Sequence, residues 1–120
     1  MKIAMISADK LMLQQLHAVL DNTDHDLLTL PGEAPDLRGI AKELAPDLML
    51  VDGRNKEALD LEHVERLTMQ YPGVAVTLIS EVVSPKFLLA AMRAGVREVL
   101  SPPHLEDMLP AAVQIGRAHV

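Results

Sequence analysis

Pro46-Asp47-Leu48-Met49-Leu50-Val51-Asp52-Gly53 is the stretch from which the rest of the chain can be read. Four consecutive apolar residues without polar alternation suit a strand whose sheet is covered on both faces. The run is too short for an ordinary helix. Pro46 stops any helix that precedes it, and Asp52-Gly53 ends it. A parallel strand buried on both sides needs helices above and below. The flanking sequence should therefore alternate between the strand period and the helix period.

It does so in both directions. Toward the N-terminus, residues 2–6 form a short apolar run read as the first strand. A helix follows over Leu11–Leu20, placed by Met12, Leu16, Val19 and Leu20, with Asp9 as its N-cap. Asp26–Leu30 reads as the second strand, closed by Pro31-Gly32. Leu37, Ile40, Ala41 and Leu44 set out the stripe of a second helix. Toward the C-terminus, Leu61, Val64, Leu67 and Tyr71 mark a third helix ended by Pro72-Gly73. Val74–Ile79 is rich in β-branched residues and reads as the fourth strand. Ser84-Pro85 starts the fourth helix, which stops at Ala94-Gly95. Val96–Leu100 is the fifth strand, followed by Pro102-Pro103. A last helix is expected from about His104, placed by Met108, Leu109, Ala112 and Val113, and Pro110 either kinks it or marks its start. The alternation predicts an α/β chain: a doubly wound sheet of five parallel strands with helices on both faces, in one domain spanning 1–120.

Composition narrows the functions. With 49% apolar residues in 120, the chain can bury a core unaided. It has no cysteine, which excludes disulfides and thiolate metal sites. Acidic residues outnumber basic ones 17 to 11, aromatics are 2%, and no Lys/Arg cluster is present, so nucleic-acid binding is not expected. The longest apolar runs, Leu48–Val51 and Phe87–Met92, are far short of the roughly 20 residues that cross a bilayer. No signal-peptide layout follows Met1-Lys2, and a cytoplasmic location is the expectation.

In sheets of this kind chemistry gathers beyond the carboxyl ends of the strands. Those ends carry Ser7-Ala8-Asp9, Asp52-Gly53, Ser80-Glu81 and Ser101-Pro102-Pro103. Capping and turning the chain account for Asp9, Ser84, Ser7 and Ser101. Asp52 is different, because a carboxylate ending a buried apolar strand costs desolvation energy unless it has partners or work to do. Ser7-Ala8-Asp9-Lys10 lacks the glycines of a phosphate-cradling turn. The histidines, His17, His25, His63, His104 and His119, have no metal-site spacing. No nucleophile elbow is present, and an enzyme is not expected.

The order of elements resembles the receiver domain of response regulators. Residues 46–52 resemble that family's third-strand motif, which ends in the phosphoaccepting Asp, here Asp52. Residues 90–100 resemble its fourth helix and fifth strand. Ser80 matches the switch Ser/Thr position, and Pro103 the proline that usually follows a cis peptide. The resemblance implies a flavodoxin-like (CheY-like) fold with strand order 2-1-3-4-5. Four positions depart from the family. Ser7 and Ala8 replace the acidic pair that holds Mg²⁺, with Asp9 one residue late. Pro102 replaces the Lys before the fifth-strand proline, and Val99 the aromatic switch residue. This combination, and above all the segment Met92–Leu100, is most similar to the atypical receiver at the N-terminus of TadZ/CpaE-type pilus-assembly proteins. It implies the receiver portion of a longer protein, or a stand-alone relative.

The departures bear on phosphorylation. A phosphoryl group carries about two negative charges near neutral pH, and an anionic Asp52 has to attack it. Mg²⁺ offsets that repulsion and is worth several kcal/mol in the transition state. Asp9 and Asp52 make a weak Mg²⁺ site or none, so no cofactor is expected and phosphorylation of Asp52 is expected to be weak or absent. A second reading keeps Asp52 as a working acceptor for a histidine kinase, with Asp9 and Asp52 sharing the metal. A third is a small ligand-binding or enzymatic flavodoxin-like domain.

The fourth helix suggests a partner surface. Phe87-Leu88-Leu89-Ala90-Ala91-Met92 is apolar all round, whereas a one-faced helix needs only a stripe. Leu88, Ala91 and Met92 can pack inward together, leaving Phe87, Leu89 or Ala90 partly outward. The fourth helix, fifth strand and last helix would then form a homodimer or partner surface, with Lys86, Arg93, Arg97 and Glu98 as its charged rim.

Overall fold

The computed structural model describes residues 1–20, 26–31, 37–54 and 61–107. Five parallel strands form one sheet: β1 (Lys2–Ser7), β2 (Asp26–Pro31), β3 (Leu48–Asp52), β4 (Ala75–Ile79) and β5 (Glu98–Leu100). Their spatial order is β2-β1-β3-β4-β5, the flavodoxin-like order. Between them run α1 (Lys10–Leu20), α2 (Leu37–Leu44), α3 (Leu61–Gln70) and α4 (Pro85–Arg93). Pro102–His104 is a single 3₁₀ turn leading into helical backbone at 105–107. The rest of the expected last helix, Pro110 included, lies outside the described residues.

Strand alternation divides the core into two layers. Ile3, Met5, Leu48, Leu50, Ile79 and Leu100 pack with Met12, Leu13, Leu16 and Leu20 of α1 and with Leu105. Ala4, Ile6, Met49, Val51, Val76 and Leu78 pack on the other side with Leu37, Ala41, Val64, Leu67 and Ala91 of α2, α3 and α4. Leu48–Val51 lies at the centre with each side chain at most 1% exposed. This explains why the third strand reads as a continuous apolar run: successive residues face opposite layers, and both layers are dry.

Element ends follow local chemistry. Asp9 caps α1 by accepting N–H bonds from Leu11 and Met12. The hydroxyl of Ser84 accepts from the N–H of Phe87, with Pro85 opening α4. Ala45 ends α2 with φ of 44°, and the buried Pro46 follows it. Gly95 has φ of 91°, and a Cβ built there would lie 2.5 Å from Oγ1 of Thr68. That hydroxyl donates to the carbonyl of Ala94 at 2.7 Å, so α3 meets the exit of α4 at a point where only glycine fits.

Three expectations need correction. β5 begins at Glu98 rather than Val96, although the N–H of Arg97 already bonds the carbonyl of Val76. No described peptide bond is cis, so the trait implied for the bond before Pro103 is absent. On α4, Met92 points outward and is 67% exposed, while Phe87 is half-buried and packs against the α2–α3–α4 layer. The inward stripe is Phe87, Ala91 and Ala94, at i, i+4 and i+7. Leu89, Ala90, Arg93 and Arg97 are exposed, and Leu88 is half-buried. No described helix is long and apolar enough to cross a membrane.

Candidate functional site

β1 and β3 are sheet neighbours, and their carboxyl ends bring Ser7 against Asp52 across 45 positions of sequence. The buried hydroxyl of Ser7 donates to Oδ2 of Asp52 at 2.6 Å and accepts the N–H of Asp9 at 3.0 Å. Beyond Asp52 the chain turns at Gly53 and places Arg54 back over the carboxylate. Oδ1 of Asp52 accepts from the Arg54 backbone N–H at 3.1 Å and from Nε at 2.9 Å. Oδ2 accepts from Nη2 at 2.8 Å. The same Nη2 donates to Oδ2 of Asp9 at 2.9 Å. Asp52 thus sits under a bidentate guanidinium fork, its side chain only 8% exposed against 24% for Arg54 and 43% for Asp9.

The electrostatics follow from these contacts. Burial pushes the Asp52 carboxyl up, but the hydrogen bonds from Arg54 and Ser7 outweigh it and hold the group below its ordinary 3.8. The bond from Arg54, with the capping N–H of Met12, lowers Asp9 as well. Arg54 is raised in turn, chiefly by its bond to Asp52. All three groups are charged throughout the neutral range.

Ser80, at the end of β4, is turned onto its own loop. Its hydroxyl donates to the carbonyl of Val82 and accepts from the N–H of Val82, both at 3.0 Å. A cleft of about 490 Å³ opens beside it, lined by Arg54, Glu81 and Phe87 among others.

Solved structures resemble this chain along its length. A pilus assembly-related protein from Burkholderia pseudomallei aligns with a TM-score of 0.85 at 31% identity, over 98% of this chain and 90% of that one. A pilus assembly protein, cpaE, from Burkholderia thailandensis aligns with a TM-score of 0.84 at 31% identity, over 98% of both chains. The chain belongs to the CpaE-like pilus-assembly family and is a receiver domain. A response regulator from Thermotoga maritima, 16% identical, aligns with a TM-score of 0.79 over 96% of this chain and 95% of that one, and shares the fold alone. No family model matches the chain, and no curated protein matches it.

The donor set of this CpaE-like receiver does not fit the Mg²⁺ ion that a receiver fold implies. Ser7 and Ala8, where the resemblance to receivers places the acidic pair, carry no carboxylate. Both oxygens of Asp52 and Oδ2 of Asp9 accept from Arg54, and Oδ1 of Asp9 caps α1. A hard cation binds oxygens at about 2.0–2.1 Å in near-octahedral order, which these engaged carboxylates do not present. Among the described residues no group of three or more His, Asp or Glu is placed to hold a metal.

The structure brings Asp9, Asp52 and Ser7 together and turns the hydroxyl of Ser80 away from them. Sequence reasoning missed Arg54, the residue that joins them. The one available signal was a cation two residues after a strand-ending carboxylate, a spacing at which a tight turn folds the side chain back.

Proposed function

We propose that this CpaE-like receiver is a non-enzymatic docking module of a pilus-assembly protein, working without a phosphorylation cycle. The carrying observation is that every oxygen of the Asp52 carboxylate is engaged, by Ser7 and the Arg54 fork. In-line attack on a phosphoryl donor would require the carboxylate to shed those bonds. It would also have to meet a dianion without a divalent counter-charge. The test is intact-mass analysis after treatment with acetyl phosphate and Mg²⁺. We expect no phosphoryl adduct on the wild-type protein. An adduct that disappears in Asp52→Asn would defeat the reading and restore the kinase-acceptor one.

Docking falls to the outer face of α4 and β5, as a homodimer or with another protein. Leu89 and Met92 are 49% and 67% exposed, Val83 before α4 is 50% exposed, and Arg93 and Arg97 flank them. Apolar groups clustered on a surface and rimmed by charge favour association. Leu89→Glu is the informative substitution, because Phe87 also supports the core and its loss would confuse folding with docking. If Leu89→Glu changes neither sedimentation mass nor capture of the pilus-assembly partner, this face is not the docking surface.

A further inference from the structure

The Arg54 contacts carry a step that rests on the phosphorylation-independent reading and deepens it. One nitrogen atom, Nη2, lies 2.8 Å from Oδ2 of Asp52 and 2.9 Å from Oδ2 of Asp9. These oxygens come from separate turns, one after β1 and one at the end of β3. Two carboxylates aimed at one point repel each other unless positive charge occupies it. The guanidinium is also pinned through Nε to Oδ1 of Asp52, which the Arg54 main-chain N–H bonds as well, so it is held as a planar fork rather than as a swinging charge.

We propose that the Arg54 guanidinium is the built-in cation of this site, and that it keeps divalent ions out by occupying the point where the two carboxylates converge. The exclusion is therefore by occupancy, added to a ligand set that two carboxylates leave incomplete. A tethered cation is present at high effective concentration and does not dissociate into bulk solvent. Asp9 after β1 and Asp52 at the end of β3 are accordingly held together whatever the divalent ion concentration. An ion-dependent receiver edge would instead load and unload. Removing Arg54 leaves Asp9 and Asp52 facing a vacated point, with two carboxylates as the start of an oxygen-ligand set that water can complete.

The experiment is a Mn²⁺ titration followed by electron paramagnetic resonance of the free ion. It compares wild type, Arg54→Ala, Arg54→Gln and the double variant Arg54→Ala/Asp9→Asn, each checked for folding by circular dichroism. Arg54→Gln keeps the side-chain length without the charge and serves if Arg54→Ala fails to fold. The wild type should show no saturable binding at millimolar Mn²⁺. The charge-removing variants should gain a single site at least about tenfold tighter than any wild-type binding, and Asp9→Asn in that background should lose it. Equal binding by wild type and variants, or no gain in either folded single variant, overturns the proposal. The reading beneath it is tested separately. A phosphoryl adduct on wild type overturns that reading, whereas an unphosphorylated wild type with no Mn²⁺ gain in the variants overturns only the role of Arg54.

Discussion

The carboxyl edge of the sheet and the outer face of α4 treat their exposed chemistry in opposite ways. At the edge, charged groups are consumed internally: Ser7, Asp9, Asp52 and Arg54 satisfy one another, and Asp52 is left 8% exposed. On α4, Leu89 and Met92 are left without cover while Arg93 and Arg97 stand beside them in solvent. Buried charge is costly unless paired, so a site that has lost its cation must find another or lose its carboxylate. Exposed apolar surface costs less and persists where a partner makes use of it. One receiver fold thus holds a closed edge and an exposed apolar face side by side.

The largest expected effect tests whether α4 is a rigid platform. Gly95→Val combines a positive φ with a clash against Thr68 and should cost about 2–4 kcal/mol in urea unfolding, through backbone strain and overpacking. A loss well below 1 kcal/mol would show that the α3–α4 junction yields, and the contrast between a fixed face and a closed edge would weaken.

Next comes the edge itself. Arg54→Ala strands a carboxylate that is mostly buried and, among the described residues, keeps only Ser7 as a side-chain donor. Allowing for the partial exposure of Arg54, the cost should be about 1–2 kcal/mol. Pairing it with Asp52→Asn should recover part of that loss, since the uncompensated charge is removed with its partner. Strict additivity in this cycle would mean that the two groups do not act as a unit.

The pH dependence sharpens the same point. The folded-state pKa of Asp52 is lowered, so the stability it contributes is complete above its unfolded value near 4 and is lost as pH falls through the lower folded value. Wild type should therefore lose stability on acidification below about pH 4. In Arg54→Ala the upward push of burial is no longer opposed by the guanidinium, and the acid loss should become shallower. Parallel acid curves for the two proteins would contradict the clamp.

The smallest effect belongs to the open face. Leu89→Glu should change stability by no more than about 0.5 kcal/mol, because the side chain is half exposed and leaves no cavity. A large loss would mean that Leu89 is structural, and the distinction between the two regions would fail there.

Much of this was legible in residue order. The apolar run Leu48–Val51, the proline and glycine punctuation, and the cap at Ser84-Pro85 place the described elements, because a strand buried on both faces and a capped helix each leave a local mark. Family resemblance to receivers, carried by residues 46–52 and 90–100, pointed to the CpaE-like relatives found among solved structures. The rotation of α4 was not legible. Phe87, Leu88, Ala91 and Met92 offer two inward stripes of similar hydropathy, and only close approach to the sheet, which suits Ala91 and Ala94, chooses between them.

The sequence by itself determined the alternation of strands and helices and the place of Asp52 at a strand end, because periodicity and punctuation act over neighbouring residues. Tertiary structure decided what Asp52 does. Its partner Ser7 lies 45 positions away, and Asp9, which shares the Arg54 guanidinium with it, stands on the same remote turn. They meet Asp52 only because β1 and β3 pair in parallel and end together. Arg54 is two residues from Asp52 in sequence, but its guanidinium reaches Asp9 only after that pairing has formed.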